Sequence, residues 1–366
     1  MEEKYDHEIY KHCPNEKEAD GIAWAFVNKE KMVRFPFKFP EVGPKELRAN
    51  ILYAGLCHSD VLTVRELWGK TTFPIAPGHE IIAEVSQVGS EVTDYKKGDL
   101  VGFGTMRDCC EQCAHCKEGR EEICTAKGEH FTYGKYWGGY ATAIQQPAAF
   151  FFHLPEKFDL ARGAPLFCAG VTTYFPMEKY LKPGMKAGVV GIGGLGHVAV
   201  KFLKKLGHEV TAFSSSPNKV QSIKDLGVDN VIISTDDEAM KAAEGTIDFM
   251  INTLPIKDGF DKYFKTMASG GYFVQVGLPP HEDMNLSFPC ALLVIKEITI
   301  VGSCVGPRPV IKKMLPLCVE KDIYPIVEEF PFEEFPKAFD KLENGRPHFR
   351  CVVNVKDYAE KNGFKK

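Results

Sequence analysis

The chain has 366 residues, 44% hydrophobic and 26% charged, with 45 basic against 49 acidic side chains and a formal charge of −4. This composition excludes a wholly disordered chain, and the charge balance gives no broad positive field for nucleic acid. At roughly 150 residues per domain, the length implies two domains.

The N-terminal MEEKYDHEIY has no basic stretch leading into an apolar run, so no secretory signal is read. No apolar run reaches membrane-spanning length. The expectation is a cytoplasmic chain with no membrane or nucleic-acid partner.

From residue 20 to 160, short apolar and β-branched runs alternate with Gly, Pro and Asp. Glu46 to Tyr53, Glu80 to Val88 and Leu100 to Phe103 read as strands divided by turns such as Val42-Gly43-Pro44 and Lys97-Gly98-Asp99. This is the pattern of a β-rich barrel or sandwich.

Near residue 170 the pattern changes. Gly188 to Val190 ends a strand, and Leu195, Val198, Ala199, Phe202, Leu203 and Leu206 form a helical stripe stopped by Gly207. Strands follow at Glu209 to Phe213, Asn230 to Ile233, Ile247 to Ile251, Tyr272 to Val276 and Ile298 to Gly302. Helices are expected from Pro217, near Glu238 and near Phe260. Six strands with helices between them predict a doubly wound parallel sheet, so the fold class is α/β. A helix at Val310 to Val319 and short strands near Val327 and Cys351 to Val355 are too little to fold alone, and are expected to complete the first domain. Lys356 to Lys366 reads as a solvated end.

Twelve cysteines are present, five of them between Cys109 and Cys124. Without an export signal, such a cluster points to metal rather than to disulfides. Cys110, Cys113, Cys116 and Cys124 have the spacing C-x2-C-x2-C-x7-C. Four thiolates close a tetrahedral zinc shell and leave no open position, which makes the site structural. Cys109 is off-register and reads as a spare thiol. A redox pair is the alternative reading of this cluster.

A second set is dispersed. Cys57-His58-Ser59-Asp60 ends a strand-like run, Gly78-His79-Glu80 begins the next, and Cys168 lies at the junction to the α/β half. Singly, each reads as an ordinary core or loop residue. Together, Cys57, His79 and Cys168 can form a Cys2His zinc site with an open fourth position, able to polarise a carbonyl or acidify an alcohol. Ser59 can hydrogen-bond the same oxygen and pass its proton on. Glu80 can serve as a neighbouring group or a displaced ligand.

Gly191-Ile192-Gly193-Gly194-Leu195-Gly196 follows a strand and opens the striped helix. In that context the glycines let backbone approach a pyrophosphate at a helix N-terminus. At the end of the second strand, Ser214, Ser215, Ser216 and Lys219 stand where NAD sites usually carry a carboxylate. Three hydroxyls and a cation suit a 2'-phosphate, which points to NADP(H). A serine run before a helix-initiating proline is also an ordinary N-cap.

Taken together, these segments and Ala164-Pro165-Leu166-Phe167-Cys168-Ala169-Gly170 resemble the zinc-dependent medium-chain dehydrogenase/reductase superfamily, and within it the cinnamyl-alcohol-dehydrogenase-like, NADP-dependent branch. The resemblance runs from Lys31 to about Val355. It implies a GroES-like catalytic domain (residues 1–168, completed by 307–366) interrupted by a Rossmann domain (169–306) with a six-stranded sheet, and a homodimer.

It also implies two zinc ions per chain: a catalytic one on Cys57, His79 and Cys168 with Glu80 close by, and a structural one on Cys110, Cys113, Cys116 and Cys124. Ser59 becomes the first member of a proton relay, with the 2'-phosphate near Ser214, Ser215, Ser216 and Lys219. The implied activity is reversible reduction of hydrophobic or aromatic aldehydes to primary alcohols by NADPH. Trp68 and Cys304 are candidate pocket-wall residues by family position.

One departure stands out. Leu62 occupies the position of a second histidine in many relatives, and it can neither accept nor donate a proton. The relay then is shorter, uses water or runs through His58. Rival readings are a zinc-independent ene, iminium or quinone reductase on the same fold, a polyol dehydrogenase, and a non-catalytic zinc- and NADP-binding redox sensor or structural protein.

Overall fold

The computed structural model describes residues 7–128, 130–132, 134, 136–255, 259–285, 287–345 and 347–364. Sixteen strands are described: β1 (Lys11–His12), β2 (Gly21–Phe26), β3 (Met32–Lys38), β4 (Glu46–Leu56), β5 (Ile81–Val88), β6 (Leu100–Phe103), β7 (Ala143–Pro147), β8 (Phe151–His153), β9 (Ala187–Val190), β10 (Val210–Ser214), β11 (Asn230–Ile233), β12 (Ile247–Asn252), β13 (Met267–Gln275), β14 (Thr299–Gly302), β15 (Val327–Pro331) and β16 (Arg350–Asn354). The chain divides into two compact units, Met1–Cys168 with Pro307–Val319 and Ile326–Lys366, and Ala169–Gly306 with Glu320–Pro325.

In the first unit, β1, β3 and β2 form a small antiparallel sheet. A larger sheet runs β15-β16-β4-β5-β6-β8, and β7 also pairs with β4. The long strand β4 is the organiser. It pairs with β5, β7 and β16, and its last residue, Leu56, leads directly into Cys57. The C-terminal strand β16 pairs antiparallel with β4, from Cys351 opposite Leu56 to Asn354 opposite Tyr53.

The second unit carries a six-stranded sheet in the order β11-β10-β9-β12-β13-β14, with every pairing parallel. Its central strand β9 reads AGVV and is buried at all four positions, as a strand covered on both faces requires. The helix Gly196–Lys205 buries Val198, Ala199, Val200, Phe202 and Leu203. The striped residues Leu195 and Leu206 fall at its two caps.

The C-terminus differs from the solvated end that its charge suggests. Lys356–Asn362 is a helix that buries Tyr358 and Ala359 and ends on Gly363 at φ 73°. Tyr358 packs on Phe332 with ring centroids 4.9 Å apart. One aromatic among lysines and glutamates makes no periodic signal, so its burial comes from tertiary contact alone. Among the described residues, no helix is long and apolar enough to cross a membrane.

Candidate metal centres and dinucleotide turn

The first unit brings Cys57, His79, Glu80 and Cys168 together. All four are buried, and one donor atom from each lies within 4.8 Å of the others. Three separate chain segments converge to make this cluster. Cys57 follows β4 directly and caps the helix His58–Val64. His79 and Glu80 immediately precede β5, where Gly55 N donates to Glu80 O at 2.8 Å. A side chain at Gly55 would strike the Glu80 carboxylate. Cys168 follows the 3-10 turn Ala164–Phe167. Phe167 lies over Gly102 of β6, where any Cβ would meet its ring.

Groups around the cluster hold its donors in place. Asp60, fully buried, accepts from His79 Nδ1 at 2.9 Å and Gly78 N at 3.1 Å on one oxygen. Its other oxygen accepts from Cys57 N at 3.1 Å and Tyr140 Oη at 2.5 Å. The bond to Asp60 assigns the Nδ1 proton and leaves Nε2 as the available ligand atom. Burial disfavours the His79 cation, but Asp60 and Cys57 outweigh it and raise the imidazole well above its ordinary range.

Cys57 is drawn well below the usual thiol range, chiefly by its hydrogen bond with Cys168, while Cys168 is pushed up by the same contact. Glu80 is raised to about 7 by burial, against the pull of Arg350. Arg350 pairs with Glu80 Oε1, whereas the buried Oε2 has no hydrogen-bond partner. Two thiols, an imidazole and an unmatched carboxylate oxygen around one buried point fit a zinc ion.

Ser59 sits in the first turn of the helix, its Oγ 3.6 Å from Cys57 Sγ. His58 is exposed and Leu62 is buried. Trp68 is half-buried and Cys304 is exposed.

The second cluster is Cys110, Cys113, Cys116 and Cys124, again with all ligand atoms within 4.8 Å of one another, but only half-buried. Here backbone does the holding. Cys110 N donates to Cys124 Sγ at 3.4 Å, and Cys113 N to Cys110 Sγ at 3.3 Å. Amides of Cys116 and Thr125 draw Cys113 down to about 5, while burial and the neighbouring Cys113 and Cys124 push Cys116 up, so Cys113 carries the first negative charge of the loop more readily than Cys116. Four convergent thiols fit a closed zinc shell. Cys109 stands outside this set, buried and 3.9 Å from Arg308 Nη2. Arg308 also pairs with the buried Glu121 at 2.9 Å, tying the lobe to the helix Arg308–Lys321.

In the second unit, the turn after β9 has the geometry that a dinucleotide needs. Gly191 has φ 83° and lies against Leu254, and a Cβ at Gly196 would strike Gly191 O. Those two glycines make the turn possible. A Cβ at Gly193 would instead meet nothing within 4 Å, so its backbone is open to a pyrophosphate. Gly194 and Leu195 complete the turn into the helix Gly196–Lys205. Past β10, Ser216 N donates to Ser214 Oγ at 3.1 Å. Ser216 occupies the N-cap position without a side-chain capping bond. Ser215 is exposed and Lys219 half-buried.

The sequence carries no signal for the roles of Asp60, Tyr140 and Arg350 in this cluster. Asp60 is discernible only as an acid three residues after Cys57. Arg350 is 270 residues from Glu80 and Tyr140 is 80 from Asp60, so neither offers a spacing signal.

Residues 43–156 match the alcohol dehydrogenase GroES-like domain, and residues 194–320 match the zinc-binding dehydrogenase domain. The chain is 38% identical over 326 residues to the aldehyde reductase AdhA of Synechocystis sp., covering 88% of this chain and 95% of that protein. It is 39% identical over 319 residues to Probable mannitol dehydrogenase 1 of Stylosanthes humilis, covering 85% and 89%. Its fold superposes on the crystal structure of CAD from Helicobacter pylori complexed with NADP(H) with a TM-score of 0.83 and 30% identity, covering 92% of this chain and 98% of that one. The chain is a member of the zinc-dependent medium-chain dehydrogenase/reductase superfamily, in its cinnamyl-alcohol-dehydrogenase-like branch.

Proposed function

We propose that the protein reversibly reduces hydrophobic or aromatic aldehydes to primary alcohols with NADPH, as a cytoplasmic homodimer carrying two zinc ions per chain. The observation supporting this most strongly is the convergence of Cys57, His79 and Cys168, beside Glu80, on one buried point. In this reading those three side chains hold a catalytic zinc, and Cys110, Cys113, Cys116 and Cys124 hold a structural one. Residues 1–168 and 307–366 form the catalytic domain and 169–306 the nucleotide domain.

Zinc with an open position supplies Lewis acidity to a carbonyl oxygen, and NADPH supplies the hydride. The chain's own residues do the rest. Asp60 fixes the His79 tautomer through the bond to Nδ1. Ser59 offers its hydroxyl to the substrate oxygen and passes the proton outward. Leu62 ends that path along the helix, so the exposed His58 or water receives the proton. Backbone at Gly191, Gly193, Gly194, Leu195 and Gly196 cradles the pyrophosphate. Ser215, Ser216 and Lys219 bind the 2'-phosphate, and Ser214, already accepting from Ser216 N, keeps its proton for the same anion.

The resemblance to a protein named as a mannitol dehydrogenase supports polyol oxidation as a second reading. A panel of aliphatic, benzylic and cinnamyl aldehydes and mannitol, assayed with each cofactor before and after metal removal, separates the two. The expected outcome is NADPH-dependent aldehyde reduction that is lost with the metal. A higher kcat/KM for mannitol selects the polyol reading. Full activity without metal at Cys57 selects a zinc-independent reductase.

A further inference from the structure

The Asp60 carboxylate links two of the three ligand-bearing segments, and a fourth segment holds Asp60. We propose that Tyr140 is a positioning residue of the buried metal centre: its hydroxyl locks Asp60, and through Asp60 it sets Cys57 and His79 in their binding arrangement. The assignment rests on the zinc role given above to Cys57, His79 and Cys168.

Tyr140 is 1% exposed and Asp60 0%, so the bond between them is shielded from bulk solvent and losing it leaves a buried acceptor one donor short. The hydroxyl donates to Asp60 Oδ2 at 2.5 Å, a charge-assisted bond. That same oxygen accepts from Cys57 N, while Oδ1 accepts from Gly78 N and His79 Nδ1. Each carboxylate oxygen thus has two donors, and rotation of the group would break contacts to both ligand segments.

The Tyr140 segment is itself laced to the His79 loop. Gly138 N donates to Ala76 O at 2.7 Å, Gly139 N to Gly78 O at 2.9 Å and Tyr140 N to Pro77 O at 3.0 Å. Gly78 has φ 104°, and a Cβ there would lie 2.8 Å from the Tyr140 ring. The ring also packs on Phe335 with centroids 4.5 Å apart. Phenylalanine at this position keeps those packing contacts and removes only the bond to Asp60.

The test follows chelator-driven zinc release from wild type, Tyr140→Phe, Asp60→Asn and the double variant, with a chromogenic chelator. The zinc pool whose release tracks loss of aldehyde reduction belongs to the buried cluster, and the other pool is the internal control. The expected result for Tyr140→Phe is roughly 10–100-fold faster release of the buried pool, the usual cost of losing such a supporting group, with the control pool unchanged. Adding Tyr140→Phe to Asp60→Asn should change the rate by less than about twofold, because the two act as one unit.

Wild-type release in Tyr140→Phe, equal acceleration of both pools, or additive effects would each overturn the assignment. Should Asp60→Asn fail to fold, the single-variant rates decide. Fewer than two releasable equivalents in wild type overturns the zinc reading and this assignment together. Two equivalents with no variant effect overturns only the assignment.

Discussion

The two cysteine-containing clusters are built in opposite ways. The lobe collects its four thiols within fifteen residues, from Cys110 to Cys124, and holds them with backbone amides. The buried cluster draws Cys57, His79 and Cys168 from three segments and holds them with side chains, notably Asp60 and the Glu80–Arg350 pair. Four thiols in a half-exposed loop suit a closed, structural shell. Three ligands in a buried setting, with a hydroxyl 3.6 Å from one sulfur and an unmatched carboxylate oxygen beside them, suit chemistry. Cluster geometry thus separates the site proposed to secure a loop from the site proposed to handle substrate.

That contrast can be broken by mutation. Cys168→Ala should lower kcat/KM for aldehyde reduction by about three orders of magnitude, from the several kcal/mol a Lewis acid supplies. Metal analysis should then find only the lobe zinc, and steady-state kinetics above a tenth of wild type would contradict the role. Cys113→Ser should do the reverse. Calorimetry should show Tm lowered by about 10 °C, as expected when several kcal/mol of metal binding is lost from a domain of this size. Activity measured well below the new Tm should stay near wild type.

A smaller effect is expected at the cofactor. Lys219→Ala should raise KM for NADPH about tenfold, the loss of one charge-assisted contact, with KM for NADH unchanged. Equal changes for both cofactors would remove the phosphate assignment. Leu62→His should raise alcohol oxidation near neutral pH by a factor of about 2–10, a modest gain if Ser59 makes the first transfer as proposed. An unchanged pH profile would show that proton exit does not limit the rate.

The same division governs what could be read from the sequence. The lobe was visible as a spacing, and the parallel sheet as alternating strands and helices, because both are local patterns. The Gly191 to Gly196 turn was equally local. Cys57, His79 and Cys168 were recognisable as candidates through their short flanking motifs. Their convergence depends on β4, β5 and the turn before Cys168 meeting in space. Tyr140 and Arg350 lay beyond reach because a buried hydrogen bond across 80 or 270 residues leaves no periodicity or spacing. The helix Lys356–Asn362 was missed for a related reason, since Tyr358 is buried by tertiary packing and not by a face of its own helix.

Catalysis by zinc at the buried cluster is open to test through kcat/KM for a cinnamyl aldehyde with NADPH, measured before and after selective removal of metal from that cluster and again after zinc is restored. Near-complete loss and recovery are expected, with the lobe still loaded throughout. Undiminished turnover on the emptied cluster would contradict it.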